Sequence, residues 1–226
     1  MHANPPSSRA PVVRTDRQGL RRKLIGAALF VVLSGTASAY TVTLTAASPQ
    51  AVYLQVGVGS FTNTYLNGGQ PGNNATVNKV SATVSSGVLG NGTAQTMTTD
   101  STATQSYWDN YTFCSVPGQV YIGGFYRTTG ATTTAALVTA TVPTALTDAA
   151  GDTIPFSKIR WASSGNGDTG AQPFPAGTFV NGGVQNVGSM SSNTWNESCW
   201  AFSYLNNSIP PAGTFTGTVR YTLSSP

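Results

Sequence analysis

The sequence predicts an all-β fold, an antiparallel β-sandwich behind an N-terminal export signal. Three observations carry that expectation. Residues 40–226 hold 31 threonines, and threonine is β-branched and suits a pleated, half-exposed strand surface. Apolar residues alternate with polar ones at period two, and no stretch repeats them at helical spacing. Gly, Ser, Asn and Pro interrupt the alternation at short intervals, as turns between strands do.

The first 39 residues read differently from the rest. Arg9, Arg14, Arg17, Arg21, Arg22 and Lys23 precede the apolar run Leu24 to Leu33, which leads to Ala37-Ser38-Ala39. A basic segment, a short apolar segment and a small-residue site in that order form a secretory signal, cleaved after Ala39. An uncleaved anchor is the alternative, although a spanning helix needs about 20 apolar residues. No later segment is apolar enough to span. The mature chain, 40–226, is expected outside the cytoplasm: extracellular, on the cell surface or in the periplasm.

Strands are expected near 40–46, 51–58, 77–84, 111–115, 118–127, 133–142, 154–161, 177–187, 198–205 and 213–224. Val42 and Leu44 share a face opposite Thr41, Thr43 and Thr45, and Val120 and Ile122 sit opposite Tyr121 and Phe125. The runs 67–74 and 163–170 read as loops, and 85–106, rich in Gly, Thr and Ser, as a long exposed excursion. No composition break marks a linker, so 40–226 is read as a single sandwich domain. The alternative is a small sheet over 40–106 packed on a C-terminal sandwich.

Charge and residue inventory close several function classes. After residue 39 the chain keeps Lys79, Arg127, Lys158, Arg160 and Arg220 against five aspartates and Glu197, a net charge of −1. Five scattered cations do not make a phosphate-binding surface, so no nucleic-acid partner is expected. The lone histidine is His2. The mature chain therefore offers no imidazole for a Ser-His-Asp triad or a His-ligated zinc. No cofactor and no metal is expected. Asp148, Asp152 and Asp168 sit in Gly- and Asn-rich turns, where capping their own backbone competes with weak calcium ligation. The two cysteines, Cys114 and Cys199, are an even count in an exported chain and read as one disulfide, with two buried thiols as the alternative.

The tail Ile209-Pro210-Pro211-Ala212-Gly213-Thr214-Phe215-Thr216-Gly217-Thr218-Val219-Arg220-Tyr221-Thr222-Leu223 resembles the last strand of exported bacterial Ig-like β-sandwich proteins of pilin-like or spore-coat-U-like type. The resemblance covers about 15 residues. It implies an Ig-like sandwich and a structural role, as a subunit of a surface fibre or coat, and it transfers no functional residue.

Candidate sites are few. Tyr107-Trp108-Asp109-Asn110-Tyr111 is the densest aromatic cluster. Trp108, Asp109 and Trp195, among polar turn residues, are the candidate ligand-binding set, with rings stacking on a sugar and the carboxylate binding hydroxyls. Trp161 and Trp200 are expected in the core, Trp200 beside the disulfide. The leading functional expectation is a non-enzymatic structural protein, a fibre or coat subunit or an adhesin. A carbohydrate-binding module is the first alternative and an aspartate-dependent hydrolase the second. Self-association is expected through sheet edges or through 40–46, donated as a strand to a neighbour or paired within its own chain.

Overall fold

The structure is a computed structural model that describes residues 42–130, 132–165 and 171–226. The expected signal at 1–39, Tyr40 and Thr41 of the first strand, and Asn166-Gly167-Asp168 lie outside the described residues.

Strands run through the whole described chain: β1 (Val42–Thr43), β2 (Ala51–Val56), β3 (Ser60–Phe61), β4 (Pro71–Gly72), β5 (Val80–Ser81), β6 (Gln95–Thr96), β7 (Thr98–Thr99) and β8 (Val120–Arg127). They continue with β9 (Ala136–Val142), β10 (Ala145–Thr147), β11 (Thr153–Pro155), β12 (Ile159–Ser164), β13 (Gly177–Thr178), β14 (Gly183–Met190), β15 (Thr194–Tyr204) and β16 (Arg220–Ser224). Two single 3-10 turns, Tyr65–Asn67 and Phe156–Lys158, interrupt them. The all-β architecture with antiparallel sheets is as expected and fits a generic sandwich.

The main sheet is ordered β13-β12-β15-β8-β2, with β1 and β6 also paired to β15. A second sheet, β14-β9-β16, lies against one face of it. Strand alternation sends successive side chains to opposite faces, and both faces of the main sheet are apolar. Val120, Ile122 and Tyr126 of β8, with Trp161, Trp200, Phe202 and Tyr204, meet Val138, Ala140 and Met190 of the second sheet in one core. Trp161 and Trp200 are buried there, each donating its indole N–H to a loop carbonyl, of Pro175 at 2.8 Å and of Phe174 at 3.0 Å.

The opposite, outward face carries Tyr121 and Phe125 of β8, Trp195 and Cys199 of β15, and Tyr53 of β2. A sandwich usually exposes this face to water; here the chain between β2 and β8 covers it. Phe61, Tyr65, Tyr107 and Trp108 pack onto Phe125 and Trp195, and Ala103, Phe113 and Cys114 onto Tyr121 and Cys199. The Cys114–Cys199 disulfide, with a sequence separation of 85, ties this cover to β15. The bridge is therefore formed as expected but does not join the two sheets. Trp200 is not beside it in the core: adjacent residues of a strand point to opposite faces, so Trp200 enters the inter-sheet core and Cys199 the outer one.

Other expectations are revised. Residues 111–115 form no strand, because Thr112 bridges only to Gln105 in a local hairpin. The span 154–161 is broken by the 3-10 turn at Phe156–Lys158. The excursion 85–106 is not wholly exposed: it contributes β6 to the main sheet and buries Thr99, Ser101, Ala103 and Ser106. Val42 and Thr43 pair with Trp195 and Thr194 of the same chain, so this part of 40–46 is an intramolecular strand here. Among the described residues no helix is long and apolar enough to cross a membrane.

Candidate functional site

The outward face of the main sheet gathers the chain's most unusual chemistry. β2, β8 and β15 run side by side, and their register sets Gln55, Gly123 and Glu197 in one row. Tyr121 is two residues before Gly123 and fully buried. A Cβ on Gly123 would fall onto the Tyr121 hydroxyl. Glycine thus lets the Tyr121 ring lie along its own strand and reach across to β15.

Glu197 is where that reach ends. Its Oε2 accepts the Tyr121 hydroxyl at 3.0 Å and the Trp195 indole N–H at 2.8 Å. Trp195 and Glu197 are two apart on a strand, hence on one face. Beside them the Tyr53 hydroxyl donates to Gln55 Oε1 at 2.7 Å, and Gln55 Nε2 donates to the Gly57 carbonyl at 2.8 Å. Burial holds the Tyr121 hydroxyl well above the ordinary phenol range, and the Glu197 carboxylate raises it further. Burial does the same to Tyr53, with Tyr107 adding to it. Both phenols therefore stay protonated near neutral pH and serve this network as hydrogen-bond donors.

The cover is built from two loops zipped together. Tyr65 N–H donates to the Tyr107 carbonyl at 2.8 Å and Leu66 N–H to that of Trp108 at 3.0 Å. The second loop is the hairpin 105–112. Ser106 N–H donates to the Tyr111 carbonyl at 2.9 Å and Asn110 N–H to that of Ser106 at 3.0 Å. Asn110 closes it at φ 68, a left-handed conformation that asparagine tolerates better than most residues. The Ser106 hydroxyl accepts the Trp108 N–H, and Asp109 Oδ1 accepts the Tyr111 N–H at 2.9 Å.

The candidate ligand set is thus divided. Trp108 and Asp109 are half-buried at the hairpin tip. Trp108 stacks on Tyr65 with ring centroids 5.6 Å apart. Trp195 is only 5% exposed; its faces are spent on Phe61, Tyr65, Trp108 and Phe125. It supports the tip and cannot itself present a stacking surface. Asp148 Oδ1 accepts the N–H groups of Ala150 and Asp152, a turn held by its own backbone. Among the described residues no cluster of three or more His, Cys, Asp or Glu could hold a metal ion.

Sequence reading missed the Tyr121–Glu197–Trp195 junction. Its signals were present as Tyr-x-Gly at 121–123 and Trp-x-Glu at 195–197, but only the register of β8 against β15 brings them together. Compared with family models, with curated proteins and with solved structures, this chain finds no match.

Proposed function

We propose that this chain is an exported, non-enzymatic structural subunit that assembles with copies of itself through its sheet edges. The observation that carries the reading is the C-terminal strand. β16 is an outer strand of its sheet, hydrogen-bonded to β9 alone among the described strands. Arg220, Thr222 and Ser224 are exposed along it, and Arg220 is its one charged residue. Natural edge strands are usually blocked by lysines, prolines, bulges or a covering loop. An open five-residue edge is a template for strand addition, main-chain hydrogen bonds giving affinity and alternate side chains giving register. This is the same tail that resembles pilin-like and spore-coat-like subunits. The other outer strand of the sheet, β14, carries no charged residue and leaves Val184 69% exposed.

The test is sedimentation velocity over rising concentration, with negative-stain microscopy of the same samples. Wild-type protein is expected to form concentration-dependent oligomers or fibres. The pair Thr222→Lys and Ser224→Lys places charge along an exposed edge and is expected to leave the melting temperature unchanged and the protein monomeric. Wild type that stays monomeric to its solubility limit overturns the proposal, and so does assembly indifferent to the lysines.

A further inference from the structure

The hairpin 105–112 also borders a cleft of about 120 Å³ whose lining does not include Trp108. We propose that this cleft binds one unit of a neutral saccharide, a function beyond self-assembly and independent of it.

Thr102, Thr104, Gln105, Ser106, Tyr107 and Asn110 line the cleft: three hydroxyls, two side-chain amides and a phenol ring, with no cation and no carboxylate. Gln105 and Asn110 are exposed and their amides carry no hydrogen bond to the described residues. An amide presents a donor and an acceptor side by side, which matches a pair of vicinal hydroxyls. A charged ligand would find no counter-charge, so the chemistry favours an uncharged polyol. The volume is below the roughly 300 Å³ of the smaller drug-type pockets. It admits one edge of a sugar ring, not an oligosaccharide.

The walls are also held in place before any ligand arrives. The Gln105–Thr112 bridge, the Ser106–Tyr111 and Asn110–Ser106 hydrogen bonds and the Asn110 left-handed turn fix the hairpin. Phe113 and Cys114 N–H groups both donate to the Thr104 carbonyl, and the disulfide at Cys114 fastens that end to β15. A fixed backbone limits the ordering cost of binding to the two amide side chains, which matters for weak, hydrogen-bonded ligands. Tyr111, at the hairpin's end, is 54% exposed, leaving an aromatic surface near the cleft for the next sugar unit.

The experiment is titration calorimetry and saturation-transfer NMR on the full chain. The probes are neutral gluco-, manno- and galacto-oligosaccharides, with sialylated and sulfated oligosaccharides as charged controls. Two variants remove the amides: Gln105→Ala, and Asn110→Gly, which keeps the left-handed backbone. Binding of at least one neutral probe is expected, weakened about tenfold or more by each variant, with melting temperatures unchanged and charged controls weaker. No binding of any neutral probe, preference for charged probes, or binding that both variants leave intact overturns the proposal. A Trp108→Ala variant separates the cleft from the aromatic tip: loss of binding in this variant but not in the amide variants places the sugar on the tip and also overturns it.

Discussion

Replacing Glu197 by alanine tests whether one carboxylate ties β8 to β15 and fixes the two rings on which the outer cover packs. Two donors end on its Oε2: the Tyr121 hydroxyl, which is fully buried, and the Trp195 indole N–H, on a residue 5% exposed. Removing the acceptor strands both donors away from water, at about 1–3 kcal/mol each. Glu197 itself is half-buried, so water entering the gap recovers part of the loss. The expected cost is about 2–4 kcal/mol, a large fraction of the stability of an ordinary domain. Glu197→Gln keeps a carbonyl oxygen for the same donors and should cost about 1 kcal/mol. Tyr121→Phe should cost a similar amount, since it removes a donor and leaves Trp195 paired. The assay is equilibrium guanidinium unfolding followed by tryptophan fluorescence and circular dichroism. The double variant Glu197→Ala/Tyr121→Phe should lose less than the sum of the singles, because with the hydroxyl gone nothing at Tyr121 remains unsatisfied. If Glu197→Ala costs within about 0.5 kcal/mol, as an unremarkable surface change does, or if the two singles simply add, the junction does not tie β8 to β15.

Two further outcomes follow from the same architecture. Cys114→Ala/Cys199→Ala should destabilise by about 4–5 kcal/mol, the loop-closure value for a separation of 85 residues; denaturant unfolding checks it, and a loss below about 1 kcal/mol would mean the cover is held without the bridge. Alkali should unfold the protein. Burial raises Tyr53, Tyr121 and Tyr221 above the ordinary phenol range, so the folded chain keeps protons that the unfolded chain releases above about pH 10. Their contribution is full below that pH and falls as pH rises, by about 1.4 kcal/mol per pH unit for the fully buried Tyr121 and by less for the partly exposed Tyr53 and Tyr221; phenolate absorbance should show them ionising late and together with unfolding.

The class of fold was legible because it rests on local signals. Threonine content and period-two alternation report strands wherever they pair, and both strands of the β8–β15 pair fall within the expected spans or overlap them. The disulfide was legible because an even cysteine count beside an expected export signal points to it. What could not be read was which of two apolar faces meets the other sheet. Val120 and Tyr121, or Cys199 and Trp200, are equally apolar neighbours, and alternation separates them without ranking them. The expected strand at 111–115 failed for a related reason: Tyr111 to Phe113 has strand propensity, but a tight turn at Asn110 lets it fold back on 104–106 before any longer pairing is reached. Of the candidate site, Trp108 and Asp109 lie at a surface tip, whereas Trp195 is buried because Phe61, Tyr65 and Trp108 of the cover pack over it.

The apolar outward face accounts for features that otherwise look unrelated. A sheet with Tyr53, Tyr121, Phe125 and Trp195 on its second face cannot leave that face to water, since each aromatic side chain withholds well over 100 Å² from solvent when packed. The chain between β2 and β8 has no strand longer than two residues, too little pairing to hold a third layer by ladder hydrogen bonds. The cover is held by other means: aromatic rings interleaved with the face and a covalent tie at Cys114, while backbone zips from Tyr65 and Leu66 to 107–108 join its two loops to each other. Rings fill the space over Trp195, which leaves no stacking face there. The β16 edge proposed for assembly belongs to the second sheet and the proposed saccharide cleft to the cover, so the two proposals fall on different parts of the fold.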